Sequence, residues 1–84
     1  MKMEIFSVYD SAVQAFMQPF FSPSLGSALR SLTDAVNDPK HEFSKHAADY
    51  TLFKLGSFDD ADGVFSTAPP EQITSCLSLI IKTV

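Results

Sequence analysis

At 84 residues the chain has room for one domain, residues 1–84, with a core small enough that a homo-oligomer would extend it usefully. With 45% hydrophobic and 19% charged residues it falls in the globular range, and a formal charge of −4 with six Lys and Arg opposes a simple electrostatic grip on phosphate backbones. One cysteine, Cys76, excludes an intrachain disulfide; residues 1–10 build no signal-peptide apolar region and residues 73–84 fall short of the roughly 20 a membrane helix needs, so a cytoplasmic protein with no membrane partner is expected.

Residues 3–9 put Met3, Ile5 and Tyr9 on one strand face and Phe6 and Val8 on the other, which predicts a central strand with apolar residues on both sides. After a polar turn at Asp10 and Ser11, Val13, Ala15, Met17 and Phe21 alternate with Gln14, Phe16, Gln18 and Phe20. This reads as a second, antiparallel strand, placed at an edge or bulged because Pro19 lacks an amide donor. Ser24 then offers an N-cap, and Leu25, Leu29, Leu32 and Val36 recur at helical spacing, predicting a helix from about 25 to 37 that Asn37, Asp38 and Pro39 end.

Residues 40–49 read as a polar loop with one helical turn, pinned by Phe43. A third strand is expected over 50–58, and residues 59–63 form a tight connection whose Gly63 takes a positive φ before a fourth strand at Val64 and Phe65. Ala68, Pro69 and Pro70 are expected to break that ladder. Beyond them Ile73, Leu77, Ile80, Ile81 and Val84 fit a helical stripe, the preferred reading, while Leu77, Leu79 and Ile81 fit a strand. The resulting class is α+β: a small antiparallel sheet in ββαββ order, one packed helix, and a C-terminal helix or strand. The sheet face away from the helix is expected to need a second layer, from the C-terminal segment or from a dimer partner.

Four segments carry a resemblance: M-E-I-F-S-V-Y-D at 3–10, Q-A-F-M-Q-P-F-F at 14–21, G-S-A-L-R-S-L-T-D-A-V-N-D-P at 26–39 and D-Y-T-L-F-K-L-G-S-F-D-D at 49–60. Together, over residues 3–66, they resemble the small nonstructural protein of gokushoviruses, single-stranded DNA bacteriophages of the Microviridae. The resemblance implies a non-enzymatic protein made in the cytoplasm of the infected bacterium and absent from the virion. Such a protein is proposed to bind DNA and to help turn genome replication toward single-strand production and packaging. It carries over no catalytic or binding residue.

The residues themselves offer few sites. Asp60, Asp62 and Gly63 echo a calcium loop, but Phe58 and Pro69 would stand where that loop needs its first and last ligands, so a solvated turn is expected. His41 and His46 are five apart, not the three or four of two metal ligands on one helical turn, and no nucleophile with a recognisable base context appears. No metal, no cofactor and no catalytic residue are therefore expected. Lys40, His41, Lys45 and His46, with Arg30 and Lys54 as additions, are the candidate contacts for single-stranded DNA. Among the aromatic residues, Phe6, Phe16, Phe20, Phe53 and Phe58 are candidates for a base-stacking platform, of which Phe16 and Phe20 are expected to be the exposed pair, meeting bases, a protein partner or a second copy. Two functional readings follow: a single-stranded DNA binder, and an adaptor acting on the phage replication or procapsid proteins without touching DNA.

Overall fold

The computed structural model describes residues 1–81. It shows the expected α+β architecture: an antiparallel sheet carrying all of its helices on one side. Strand β1 (Lys2–Asp10) lies in the middle and pairs along its whole length with β4 (Tyr50–Asp59), from Lys2↔Asp59 to Asp10↔Tyr50. Two short strands, β2 (Ala15–Phe16) and β3 (Phe20–Ser22), share its other edge, and β5 (Val64–Ser75) closes the far edge of β4.

The strand alternation of β1 decides the two faces. Phe6 and Val8 point to the helices and join Leu52 and Tyr50 of β4 in the core, while Met3, Ile5, Ser7 and Tyr9 point away. Helix α1 (Leu25–Val36) begins where Ser24 Oγ accepts the Ser27 amide at 3.1 Å, and it buries Ala28, Leu32 and Val36. Leu29 packs partly against this core, but the stripe outruns it: Leu25, in the first turn, is 40% exposed rather than buried. A one-turn helix α2 (Glu42–Lys45) plants Phe43 in the core as expected. Each large side chain buried here contributes on the order of 1.5–3 kcal/mol.

Two expectations about the C-terminal third are corrected. Pro69 and Pro70 do not end the ladder, because β5 is an edge strand and carries a bulge where they sit. Thr67 pairs with Gly56 and Glu71 with Lys54, so residues 68–70 stand opposite Leu55 alone and no ladder amide is required of them. The preferred C-terminal helix does not form either. Strand β5 runs to Ser75 and gives way to a 3₁₀ turn (Cys76–Leu79), started by Ser75 Oγ accepting the Leu77 amide; Val84 of the expected stripe lies outside the described residues. This turn packs on the helical side, with Cys76 fully buried, so it does not supply the second layer for the opposite face.

Asn37 holds the turn in place. Its Nδ2 donates to Thr33 O at 2.8 Å and to Leu79 O at 2.9 Å, and its Oδ1 accepts the Ile81 amide at 2.8 Å. One side chain thus gives Thr33 O, which already accepts the Asn37 backbone amide at 3.1 Å, a second donor and ties the C-terminal segment to the end of α1.

Candidate interaction surface

The sheet face turned away from the helices carries six aromatic side chains in two groups. Tyr9, Phe16 and Phe53 meet edge to face, with ring centroids 5.0, 5.2 and 6.2 Å apart. Toward the other end of the strands Phe21, Phe58 and Phe65 form the second group, at 4.7, 5.8 and 6.4 Å. Phe16 is 43%, Phe21 49% and Phe65 59% exposed, whereas Ile5 and Ser7 between the groups are buried beneath their neighbours.

Register slips put these rings together. From Tyr9↔Phe16 to Phe6↔Phe20, β1 advances three residues and its partner four, so one extra residue around Met17–Pro19 reverses the alternation. Ser7 Oγ, donating to Met17 O at 2.6 Å, and the Met17 amide, donating to Val8 O, fasten the bulged segment. The reversal corrects the expected exposed pair. Phe16 is on the open face, but Phe20 is turned to the helices, stacked 5.8 Å from the buried Phe6, and Phe21 takes its place outside. A second slip, between Ile5 and Phe6 against Gly56 and Lys54, passes over Leu55 and brings Phe53 and Phe58 to one face despite their odd separation.

Gly56 makes that slip feasible. Its φ is +154°, and a Cβ there would lie 2.1 Å from Ser66 O and 3.0 Å from Thr67 Cα of the adjoining strand. Of the expected platform, then, Phe16, Phe53 and Phe58 belong to the face, Phe6 is wholly buried in the core, and Phe20 lines it.

Among the described residues, no strand residue on this face is charged. Lys2, Glu4, Asp10, Lys54, Asp59 and Glu71, which are all the charged residues of the strands, share the parity of Phe6 and Val8 and so lie on the helical side. The DNA-contact candidates are also on that side or in its helical layer, and they do not form one patch of free cations. Lys54 pairs with the Glu4 carboxylate and stands across from Glu71 in the ladder. His41 accepts the Phe43 amide on Nδ1 at 3.0 Å, capping α2, and its ring lies 4.6 Å from that of Phe43. His46 Nε2 is 3.9 Å from Glu42. Lys40, Lys45 and Arg30 are exposed, the first just before α2, the second at its last position and the third on α1.

The remaining candidate chemistry is structural. Asp59 and Asp62 of the β4–β5 turn accept the amides of Ala61 and Val64 at 3.0 Å, and Gly63 has the expected positive φ, +74°. Among the described residues no three His, Cys, Asp or Glu side chains gather as metal ligands. Burial pushes the Cys76 thiol up to about 11, which keeps it protonated and a poor nucleophile. An apolar cleft of about 200 Å³ between β1, the Met17–Phe20 segment and α1, lined by residues such as Val8, Met17, Leu32 and Phe43, has no titratable side chain in its wall among the described residues.

The family described as Phage ORF5 protein matches residues 3–79, nearly the whole of the chain, from the second residue of β1 to the end of the Cys76–Leu79 turn. The chain belongs to the Phage ORF5 protein family. It is therefore a phage protein, and the aromatic face lies within the matched residues. No curated protein and no solved structure matches it. Among the described residues no helix is long and apolar enough to cross a membrane.

Sequence reasoning named Phe16, Phe53 and Phe58 but missed Phe21, Phe65 and Tyr9. The only signal available for them was the aromatic density itself, since which ring faces outward depends on two single-residue slips.

Proposed function

We propose that this chain is a non-enzymatic accessory protein of a gokushovirus-type single-stranded DNA phage, working in the host cytoplasm through protein contacts made by its aromatic sheet face. The four segments that resemble the gokushovirus nonstructural protein support the narrower phage assignment. The observation that carries the mode of action is the six-ring face with no charged strand residue on it. A face of this kind favours a dry protein partner over a phosphate backbone, whose affinity comes from cations releasing counterions. Within the phage cycle the role fits a factor that contacts the replication or procapsid machinery while genome synthesis shifts toward single strands.

One observation favours a second reading, in which the protein touches single-stranded DNA itself: exposed rings on an antiparallel sheet are the platform on which unpaired bases stack. Anisotropy of a labelled single-stranded oligonucleotide, titrated with the protein at low and at physiological salt, separates the two. The protein-contact reading expects no binding at either salt. Salt-sensitive binding that is lost in Lys40→Ala/Lys45→Ala or in Phe16→Ala/Phe65→Ala would replace it with the DNA reading and say which surface holds the strand.

A further inference from the structure

We infer that the partner seated on the aromatic face is a second copy of this chain, in a two-fold dimer packed sheet against sheet; the inference rests on the reading of that face as a protein-contact surface. Charge is the first argument. The chain is acidic, with ten Asp and Glu against six Lys and Arg, so two copies repel wherever their charged surfaces meet. The aromatic face is the sheet surface on which they can meet without opposing like charges, because Lys2, Glu4, Asp10, Lys54, Asp59 and Glu71 all point the other way. A partner with charges at the contact would have to strip them of water over Phe21, Phe58 and Phe65 with no ion to receive them. The same face on a second copy makes no such demand.

Shape and area agree with this. Four strand positions about 4.8 Å apart, each about ten residues at roughly 3.3 Å, give a face of about 600 Å² in projection. The relief of six rings raises the accessible area toward the roughly 800 Å² per partner of a standard specific interface. The two ring groups stand at opposite ends of the strands. A two-fold axis crossing the strands between them lays Tyr9, Phe16 and Phe53 of one copy across Phe21, Phe58 and Phe65 of the other, twice, as an isologous contact requires. The packing is that of a β-sandwich, with the dimer supplying the second layer that one chain lacks.

Sedimentation equilibrium of the full chain over a micromolar concentration series tests the inference. The expected result is a species of twice the 9.2 kDa chain mass, and a dimer dissociation constant raised by at least roughly a hundredfold in Phe65→Asp and in Phe16→Asp, where a carboxylate would be buried unpaired. Both positions are half-exposed in one chain, and circular dichroism establishes that each variant keeps its fold. A second measurement needs no variant: a mixed sample of labelled and unlabelled wild type is expected to give intermolecular nuclear Overhauser contacts among the six rings. A 9.2 kDa species throughout the series, or intermolecular contacts confined to α1 and α2, overturns the inference. A monomeric chain that also ignores DNA would leave the protein-contact reading standing with a different partner, so the two failures are distinguishable.

Discussion

Replacing Gly56 by alanine is expected to be the most damaging small substitution in the chain. The added Cβ would stand 2.1 Å from Ser66 O, where a carbon and an oxygen settle at about 3.3 Å, and 3.0 Å from Thr67 Cα; both are backbone atoms of the neighbouring strand. Strands β4 and β5 must therefore separate by about 1 Å. Overpacking of this kind costs about 1–3 kcal/mol, and a loosened ladder bond about 1 more, giving about 3 kcal/mol in all. A chain of this length has a total stability of roughly 4–13 kcal/mol, and each kcal/mol moves the midpoint of a small domain by about 4–8 °C, so Tm is expected to fall by about 12–24 °C. The other two glycines calibrate the result. Gly63 has a φ of +74° with nothing within 4 Å, so alanine there bears only the left-handed backbone cost of about 1 kcal/mol. Gly26, in the first turn of α1, has Ser24 Oγ at 3.9 Å, and alanine there is neutral or stabilising by up to about 1 kcal/mol. Thermal and urea unfolding followed by circular dichroism would give the order. A Gly56→Ala protein within about 1 kcal/mol of wild type, or one more stable than Gly63→Ala, would refute the argument that this glycine permits the slip.

Asn37→Ala removes three hydrogen bonds around the end of α1 and is expected to cost about 2–3 kcal/mol in urea unfolding, with faster amide exchange concentrated at the Cys76–Leu79 turn; uniform exchange acceleration would contradict the local tie. Cys76, fully buried with its thiol raised to about 11, is expected to resist a disulfide reagent at neutral pH and to react at once in denaturant, so rapid labelling of the native chain would place it wrongly. Alkaline stability follows from the same group and from Tyr50, which burial also raises. Because the folded chain holds protons that the unfolded chain has lost above the thiol's ordinary 9.0, this stability is whole below pH 9 and drains away as pH rises through about 11. Urea midpoints in Cys76→Ala are expected to fall less steeply over that interval, and an equal slope would remove Cys76 as the cause.

The elements specified by local chemistry were legible in the sequence. Ser24 and Asn37 bound the helix, Phe43 anchors the polar segment, Gly63 turns the second hairpin, and the alternation of β1 sorts Phe6 and Val8 from Met3, Ile5 and Tyr9. What hid was register. Pro19 announced a bulge but not that it would exchange Phe20 for Phe21, and Pro69 and Pro70 looked like a stop because nothing local shows that they face the outer edge of a bulged strand. Residues after Ser75 carried an apolar pattern compatible with both helix and strand, and their packing beneath Asn37 decided the outcome. The candidate site suffered most. Its basic half rests on a local cluster at residues 40–46 with two outlying cations, yet Lys54 is held by Glu4 and His41 is occupied as a cap, while its aromatic half depends on pairings that no single strand contains.

The bulge at Met17–Pro19 makes the protein's outer surface depend on counting. Deleting one residue there would return β2 and β3 to a common alternation and swap Phe20 with Phe21, sending an outward ring into the core and a core ring into water. Deleting or adding two would leave every ring where it is. Length changes at this hairpin should therefore be survivable in even steps and ruinous in odd ones, a rule of parity rather than of residue type, under which a chain can drift in sequence along this edge while its aromatic face stays fixed.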